Sequence, residues 1–346
     1  MTHTSTPRAV VVIPNWNGKE DLPACLDSLL QQTIPCEIVV VENGSVDGSR
    51  ELLAKNYPKV TVLPQKENLG FAGGVNVGIR YAIKNGCEYV ALLNNDATVN
   101  KEWLSELVKT LEKNPKFGIV TSKIVSSDGS HLDSTGDLYT TWGLPYPRGR
   151  NESQLNTYDT QTKIFGASGG ASLYRCEMLQ EIGLFDEKFF AYYEDVDLSF
   201  RAQLAGWQVR FTPTAIAYHQ ISATSSRIKG FATYQTMKNL PMLFWKNVPN
   251  SLIPIILPRL FLAYWSMIAK ACVTGKGWPA IKGQLVYLKN HYHVFKERRT
   301  IQKHKQVTDE YIRSILTWDL PPNAKNLRNL RAKWWKLRRK NEKNSH

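Results

Sequence analysis

The stretch AVVVIPNWNG, residues 9–18, places a run of β-branched residues directly before a polar end that favours a turn. A short, continuously apolar run is typical of a strand buried on both faces. The candidate strands Glu37–Val41 and Tyr89–Leu93 end in the same way, in VENGSVDGS (41–49) and LLNNDATV (92–99). In open α/β sheets, ligands bind at the carboxyl ends of the strands. The pattern therefore predicts a buried sheet with a ligand site along one edge.

Strand and helix patterns alternate through residues 1–120. The other candidate strands are Ala9–Ile13, Val60–Leu63 and Gly118–Thr121. The helical patterns between the strands are Leu22/Leu26/Leu29/Leu30, Gly48–Asn56, Phe71–Lys84 and Lys101–Glu112. This βαβα rhythm predicts an α/β fold with a mostly parallel central sheet covered by helices.

Residues 126–163 interrupt this rhythm, because they are rich in Ser, Thr, Gly, Pro and Asp. Long segments without secondary structure are usually functional or mobile, so we expect a long loop over a site. Regular structure is predicted again at GGASLYR (169–175), in a helix near Glu177–Gly183, and in WQVRFTP (207–213) and AIAYH (215–219).

The charge of the chain is strongly positive and uneven. The 346 residues carry a net charge of +14, and 42% of them are hydrophobic, which supports a real core. Such an excess predicts a polyanionic partner, either nucleic acid, anionic lipid or a phosphorylated substrate. Residues 323–346 contain nine Lys or Arg against one acid, Glu342, so most of the excess lies in this tail.

Cysteine usage and the first residues favour a reduced, cytosolic setting. The five cysteines are scattered and form no CxxC pair, so neither a disulfide framework nor a Cys-rich zinc site is indicated. The stretch MTHTSTPRAVVVIP (1–14) has no apolar core long enough for a signal peptide.

Residues 247–272 are apolar but are interrupted by Pro254, Pro258 and Arg259. A spanning helix needs about 20 apolar residues in a row, so we expect helices that lie in a membrane interface, with a buried core helix as the alternative. The basic tail contains Trp334 and Trp335 among Lys and Arg, which predicts an interfacial amphipathic helix or, alternatively, a solvated disordered tail.

The glycine-rich segment ENLGFAGGVNVGI (67–79) follows the third strand rather than the first. A nicotinamide-binding fold needs G-x-G-x-x-G directly after the first strand, where only Gly18 is present. A Walker lysine is also absent from the sequence. The segment therefore indicates a close approach of the backbone to a ligand.

The motif Asn94-Asn95-Asp96 places a carboxylate at the tip of a buried strand, between amides. Hard oxygen ligands of this kind suit Mg²⁺ or Mn²⁺ bound through a substrate diphosphate. The alternative is an ordinary turn or helix-capping Asp. His219 ends a later strand and is a further ligand if it faces Asp96, although a lone His is usually structural.

The acidic segment FFAYYEDVDLSF (189–200) places Glu194, Asp195 and Asp197 within four positions. Asp197 and Arg201 are spaced i, i+4 and can pair on a helix face, and acids near a helix N-terminus are favoured by its dipole. Capping and pairing would explain the cluster as purely structural. They leave the neighbouring aromatic run unexplained.

Taken in order, the motifs NWNG, ENGSVDGS, NLGFAGGVNVG, LLNNDAT, GGASLYR, GLFDEKFFAYYEDVDLSFRAQLAGW and the later His resemble the family 2 inverting glycosyltransferases, above all a bacterial rhamnosyltransferase-like branch. The resemblance implies a GT-A fold, with a Rossmann-like sheet and a C-terminal helical, membrane-associating extension. It implies a nucleotide-sugar-binding half (1–122), an acceptor-binding and catalytic half (123–222), a membrane-interfacial helical region (223–320) and a basic tail (321–346).

The resemblance also implies roles in binding a nucleotide sugar. Trp16 would stack on the base, and Glu42 would accept the N3–H of uracil or thymine at a position where the family usually has Asp. The other residues implied to contact the nucleotide sugar are Pro14, Asn15, Asn68, Gly70, Gly74, Asn76 and Asn95.

The metal and acceptor sites follow from the same resemblance. Asn94 and Asp96 stand for the family's D-x-D, with the first carboxylate replaced by an amide, and His219 matches a late ligand, so Mg²⁺ or Mn²⁺ is the implied cofactor. Asp195 takes the place of the catalytic base. The residues implied to contact the acceptor are Glu194, Tyr192 and Gly170.

We therefore expect a metal-dependent inverting hexosyltransferase, with dTDP-rhamnose as the preferred donor by resemblance only. The expected acceptor is a polyprenyl-diphosphate-linked saccharide at an anionic membrane surface, on the cytoplasmic face. Transfer of another sugar, such as galactofuranose, glucose or GlcNAc, is one alternative, and a sugar nucleotidyltransferase is another. A nucleic-acid-binding module is a third alternative, but no nucleic acid is expected, since this alternative leaves the carboxylate sites unexplained and carboxylates without a bound metal would repel phosphates.

Overall fold

The computed structural model of the chain describes residues 8–220 and 228–321. Its first half alternates strands and helices: β1 (Ala9–Asn15), α1 (Leu22–Leu29), β2 (Glu37–Glu42), α2 (Ser49–Asn56), β3 (Thr61–Pro64), α3 (Gly70–Lys84) and β4 (Tyr89–Leu93). The four strands lie in the order β3-β2-β1-β4 and are all parallel. Every residue of β4 is buried, as its continuous apolar run predicts.

The same sheet continues with mixed strand directions. The elements that follow are β5 (Ala97–Val99), α4 (Trp103–Glu112), β6 (Phe117–Ser126), β7 (Leu132–Ser134), β8 (Asp137–Tyr139), β9 (Pro145–Pro147), β10 (Ala171–Arg175), α5 (Cys176–Ile182), α6 (Glu194–Leu204) and β11 (Gln208–His219). The full order is β3-β2-β1-β4-β10-β6-β11-β5. Strand β10 is antiparallel to both of its neighbours, whereas β11 is parallel to β6.

Two sequence-based expectations for this half are corrected. Residues 126–163 are not one long loop, because β7 pairs with β6, and β8 pairs with β9 as a separate small sheet. These strands are three residues long, which is too short for a period-two pattern to be visible. The segments predicted at 207–213 and 215–219 form one strand, β11, whose register shifts between Thr212 and Ile216.

Five helices follow in the second described range: α7 (Phe231–Asn247), α8 (Ile253–Val273), α9 (Gly277–Lys289), α10 (His291–Lys303) and α11 (Asp309–Ile315). Helix α8 is continuous over 21 residues, so the expected interruption by prolines does not occur. Pro254 occupies the first turn, where the N–H has no partner in any case, and Pro258 follows one turn later.

The segment Asn250–Val273 is the one helical stretch of the described residues that is long and apolar enough to cross a membrane. Its mean hydropathy is 1.7, and 22% of the apolar window is buried within the protein. Core helices of soluble proteins can have the same length and composition. The basic tail with Trp334 and Trp335 lies outside the described residues.

The C-terminal helices pack on the part of the molecule that carries the acidic segment. One hydrophobic cluster joins Val196 and Phe200 of α6 to Leu240 and Leu243 of α7 and to Ile256 of α8. All five side chains are at most 3% exposed. Helices α7 and α8 therefore form part of the framework that positions α6.

Candidate active site

A cavity of about 680 Å³ opens at the carboxyl ends of β1 and β4 and reaches the N-terminus of α6. Most of the residues predicted from the sequence line this cavity: Pro14, Asn15, Trp16, Asn68, Gly70, Asn94, Asn95, Asp96, Gly170, Tyr192, Glu194, Asp195 and His219. Residues far apart along the chain thus line one cavity, at the sheet edge where the strand pattern predicts a ligand.

Asn15 is held in place by polar side chains from two neighbouring loops. Its Nδ2 donates to Oε2 of Glu42 at 3.0 Å, and its Oδ1 accepts from Nδ2 of Asn95 at 2.8 Å. The other oxygen of Glu42 accepts from the backbone N–H of Ser45 at 3.0 Å. Glu42 is 1% exposed and does not line the cavity, so its carboxylate acts here on Asn15 and the Ser45 turn.

A second group of side-chain hydrogen bonds joins the loop after β2 to the start of α3. Nδ2 of Asn43 donates to Oδ1 of Asn68 at 3.1 Å and to the carbonyl of Gly70 at 3.0 Å. Gly70 has a φ of +73°, and a Cβ at this position would lie 2.5 Å from the carbonyl oxygen of Phe190. A glycine is required here because the N-terminus of α3 approaches the aromatic segment so closely.

Besides Glu42, two predicted contact residues do not line the cavity. A Cβ on Gly74 would meet Nδ2 of Asn43 at 3.1 Å, so this glycine serves the packing of α3 under the loop after β2. Asn76 donates to the carbonyl of Phe185 at 2.8 Å and accepts from its N–H at 3.0 Å. Its side chain therefore fastens α3 to the segment before α6.

Asp96 and His219 meet where β4 ends and β11 ends. Nε2 of His219 lies 3.1 Å from Oδ1 of Asp96 and 3.3 Å from Nδ2 of Asn94. Oδ1 of Asp96 is buried and has no well-directed hydrogen bond among the described residues. A buried carboxylate oxygen beside an imidazole fits Mn²⁺ or Mg²⁺ that takes its remaining ligands from a diphosphate and water.

Asp133, which the sequence motifs did not single out, orients this histidine. Its Oδ2 lies 2.9 Å from Nδ1 of His219, and its Oδ1 lies 2.7 Å from Nη2 of Arg150. Burial lowers the pKa of His219, but its interactions with the carboxylates of Asp133 and Asp96 outweigh burial and raise the pKa to about 9. A bound cation needs the neutral ring, so metal binding here would release a proton.

The metal site is not complete by itself. In residues 8–220 and 228–321, no three His, Cys, Asp or Glu side chains are grouped so that they could hold an ion alone. This small number of protein ligands is typical of Mg²⁺, which is commonly bound by one or two carboxylates together with substrate phosphates.

Asp195 also lines the cavity and lies in the first turn of α6. Its Oδ2 accepts from the N–H of Gly169 at 2.9 Å, and its Oδ1 accepts from the N–H of Val196 at 2.8 Å. Burial raises the pKa of this carboxyl, and the two backbone donors act in the opposite direction. Asp195 is thus a fixed carboxylate whose pKa is above the ordinary aspartate value, which suits a general base.

Two further carboxyls surround Asp195. Glu194 and Asp137 are 6% and 7% exposed, and both line the cavity. Burial is the main cause of their raised pKa values, and the negative charge of Asp195 adds to it. Since Asp195 has two amide donors from neighbouring residues, it is the member of this group best able to carry the negative charge.

The aromatic segment before α6 has an unusual backbone. Phe190, Tyr192 and Tyr193 all have φ between +63° and +72°, a region that residues other than glycine seldom adopt. Nδ2 of Asn239, on α7, lies 2.8–3.0 Å from the carbonyl oxygens of Phe189, Ala191 and Tyr192. One buried amide therefore holds the segment that leads into Glu194 and Asp195.

The predicted pairing of Asp197 with Arg201 is confirmed. Nε of Arg201 lies 3.0 Å from Oδ2 of Asp197, and both side chains are buried. Nζ of Lys246 and Nδ2 of Asn247, from α7, also bind this carboxylate at 3.0 and 2.8 Å. Asp197 thus joins α6 to α7 and does not line the cavity.

Three glycosyltransferases are among the proteins that are similar to this chain. The low-salt glycan biosynthesis hexosyltransferase Agl10 of Haloferax volcanii is 25% identical over 66% of this chain and 73% of its own length. The N-acetylglucosaminyl-diphospho-decaprenol L-rhamnosyltransferase of Mycobacterium tuberculosis is 26% identical over 56% of this chain and 69% of its own. The dTDP-rhamnosyl transferase RfbF of Shigella flexneri is 25% identical over 69% and 80%, respectively.

The fold is also that of solved glycosyltransferases. The mannosyltransferase PcManGT from Pyrobaculum calidifontis, solved with GDP-Man and Mn²⁺, has a TM-score of 0.53 at 17% identity, over 89% of this chain and 85% of that chain. The predicted GT-A class is confirmed by this likeness. The sequence profile described as Glycosyl transferase family 2 matches residues 10–183, just over half of the chain. The chain therefore belongs to glycosyl transferase family 2.

Proposed function

We propose that this glycosyltransferase is an inverting hexosyltransferase that moves a sugar, with L-rhamnose from dTDP-rhamnose as the first choice, to a lipid-linked saccharide. The observation that supports the proposal is the shared cavity, which is lined by Asp96 and His219 and also by Asp195. The choice of rhamnose is supported by two relatives whose names specify rhamnosyl transfer, one of them from a dTDP donor.

The nucleotide is proposed to bind along the loops after β1 and β2. Trp16 lines the cavity and offers an aromatic face to the base, beside Pro14 and Asn15. The Glu42 carboxylate is already engaged by Asn15 and Ser45. We therefore assign Glu42 the task of presenting Asn15 to the base. Asn68 and Gly70 lie in the same wall and are assigned to the ribose and phosphates.

The diphosphate is proposed to bind beside Asp96 and His219, with Asn94 at the edge of the site. These residues would hold Mn²⁺ or Mg²⁺, and a divalent cation there neutralises the charge on a leaving diphosphate. The positively charged Arg150, which is bound to Asp133 and also lines the cavity, lies in the same region. It provides a guanidinium for the same anionic group.

Inversion requires an acceptor hydroxyl to attack the anomeric carbon from the face opposite the diphosphate. Asp195 is proposed to accept the proton of that hydroxyl as the carbon–oxygen bond forms and the bond to the diphosphate breaks. The N–H groups of Gly169 and Val196 hold its carboxylate in place during this step. Glu194, Tyr192 and Gly170 share the cavity wall and are proposed to contact the acceptor.

The acceptor is proposed to be a polyprenyl-diphosphate-linked saccharide, and the enzyme to act as a peripheral protein at the cytoplasmic face of a membrane. The support is the decaprenol-linked acceptor named for the mycobacterial relative, together with the apolar helix α8. The net charge of +14 favours an anionic surface.

The proposal is tested with purified protein and a panel of nucleoside-diphosphate sugars. Slow donor hydrolysis is measured with Mn²⁺, with Mg²⁺ and with a chelator, and no nucleoside triphosphate is added, which separates a transferase from a nucleotidyltransferase. Transfer is then measured for Asp195→Asn, which should lose about 10²- to 10⁴-fold in rate while donor binding is retained. Asp27→Asn, the same change on the surface of α1, is the control. Wild-type turnover of Asp195→Asn would refute the base assignment.

A further inference from the structure

We propose that one exposed apolar face of α8, α9 and α10 is a docking surface for an anionic lipid bilayer and that it holds the cavity mouth against the membrane. The inference rests on the proposed lipid-linked acceptor for its purpose. The surface itself is defined by side chains that the reaction does not use.

The docking surface consists of large apolar side chains that follow helical spacing. Its members are Phe261, Leu262, Trp265, Val273, Trp278, Ile281, Leu285, Leu288, Tyr292 and Phe295, each between 44% and 89% exposed. From Trp278 to Phe295 the steps alternate between three and four residues, which places these side chains on one face of the nearly continuous α9 and α10. Monomeric soluble proteins rarely expose a contiguous apolar patch of this kind.

The same helices have another face that is packed in the protein. On α9, Ala280 is fully buried, and a Cβ on Gly283 would collide with the carbonyl oxygen of Tyr234 on α7. On α8, Ile256 near the start and Ala271 near the end are both buried. Helix α8 therefore contacts the rest of the protein near both of its ends, as expected for a helix that lies along a surface rather than one that leaves the protein to cross a bilayer.

The positive charge around this face favours an anionic lipid surface over an uncharged one. Residues 251–303 contain nine Lys or Arg and a single acid, Glu297. Lys270, Lys276, Lys282 and Lys289 are exposed along the same helices. Tryptophan and tyrosine with long cationic side chains beside them are the composition of helices that lie in the headgroup region.

The docking surface is continuous with the cavity mouth. Ile228 is 43% exposed and lines the cavity together with Phe231, at the start of α7. A Cβ on the intervening Gly230 would lie 2.7 Å from Pro279, which is the neighbour of the exposed Trp278. A lipid-linked sugar could thus reach Asp195 while its lipid stays in the bilayer.

Helix α8 abuts the β8–β9 hairpin, which also contributes to the cavity lining. A Cβ on Gly143 would lie 3.2 Å from the side chain of Leu260 and 3.3 Å from that of Ile256. Pro145 and Tyr146, in the same hairpin, line the cavity. The cavity lining therefore includes one segment that contacts α8 and another that contacts the start of α9.

The test uses the full chain and vesicles of phosphatidylcholine with and without about 30 mol% phosphatidylglycerol, a composition that supplies the negative surface charge. Co-sedimentation is measured for the wild type, for the double variant Trp265→Glu/Trp278→Glu and for Trp318→Glu. Trp318 is 51% exposed and lies beyond α11, so it is a matched control outside the docking surface. We expect the double variant to bind anionic vesicles at least about tenfold more weakly, and the control to bind like the wild type.

A second measurement keeps the outcome clear if the basic tail alone binds vesicles. Brominated lipids should quench the tryptophan fluorescence of the wild type more than that of Trp265→Phe/Trp278→Phe. Equal quenching, equal sedimentation of the glutamate variant, or a wild-type dimer that the glutamate variant breaks in lipid-free buffer would each overturn the proposal, the last by assigning the face to a second copy of the chain.

Donor hydrolysis is measured in the same preparations, without lipid. We expect it to be unchanged in the glutamate variant, because neither tryptophan lines the cavity. Vesicle binding that depends on the two tryptophans, in a protein that hydrolyses no donor, would leave the docking surface standing and refute the proposed reaction instead.

Discussion

Replacing Asn239 by alanine tests whether the strained aromatic segment is held in place for catalysis. The amide nitrogen of Asn239 has two N–H groups, which serve the carbonyls of Phe189, Ala191 and Tyr192 at 2.8–3.0 Å. Two net hydrogen bonds contribute about 1–3 kcal/mol to stability, at about 0.5–1.5 kcal/mol each. The alanine variant should therefore lose about this much free energy of unfolding.

The strain in the segment is of comparable size. Each residue held in the left-handed region costs about 1–3 kcal/mol, and Phe190, Tyr192 and Tyr193 all lie there. Without the Asn239 amide, relaxation of at least one peptide becomes favourable. Asp195 follows two residues after Tyr193, and a displacement of about 1 Å in a reacting group can lower the rate about 10²-fold. We expect kcat to fall by about 10- to 100-fold.

The assay is steady-state sugar transfer with separate variation of donor and acceptor, together with thermal unfolding. The donor KM should stay within about twofold, because Trp16 and Asn15 lie on other loops. Asn247→Ala is the matched control: this asparagine is equally buried on α7 but binds Asp197 instead of the aromatic segment. It should lower stability and leave kcat near that of the wild type. If Asn239→Ala destabilises the protein yet keeps wild-type kcat, the aromatic segment does not depend on the hydrogen bonds of Asn239 for its active geometry.

Three further predictions concern the carboxyls of the cavity. Asp133→Asn should weaken Mn²⁺ binding about 10- to 100-fold, measured by titration with paramagnetic Mn²⁺ and donor nucleotide, because it removes the carboxylate that orients His219; unchanged affinity would contradict this role. Since the pKa of Asp195 is raised and its ionised form is the base, the transfer rate should fall with decreasing pH at a higher pH than an ordinary aspartate allows, and a flat profile down to about pH 4 would contradict the assignment. Burial raises the pKa of Glu194, so the folded state loses stability as pH rises from the ordinary glutamate pKa towards the raised one. Glu194→Gln should therefore raise Tm more at pH 8 than at pH 5. A larger gain in Tm at pH 5 than at pH 8 would be inconsistent with a buried, unpaired charge.

The parallel half of the sheet was predictable because its signal is local. Strands β1 and β4 are buried on both faces, and such strands must be continuously apolar, so the sequence alone indicates them. The ordered motifs predicted the family, and most of the site residues that they implied line the cavity. The short strands β7, β8 and β9 were missed, because three residues carry too little periodicity to be recognised.

The sequence analysis also missed three residues of the site, Asp133, Asp137 and Arg150. They lie in the segment that was expected to be a loop. The polar residues of α7 were missed for another reason. Lys238 and Asn239 would ordinarily be assigned to a solvated helix face, yet they are 4% and 0% exposed. Their partners are carbonyls almost 50 residues away in the chain, and sequence spacing contains no information about such contacts.

The sequence by itself determined the strands and helices of the parallel half of the sheet, and which strand ends carry amides, carboxylates and an imidazole, because periodicity and turn chemistry are properties of neighbouring residues. Only the tertiary structure decided that Asp96 meets His219, that Asp133 orients that ring, and that Asn239 supports the segment before Asp195. These contacts depend on how the strands are ordered and how the C-terminal helices pack on α6. Each of these contacts matters for stability because the groups are buried, and a buried donor or carboxylate must find its hydrogen-bond partner within the protein.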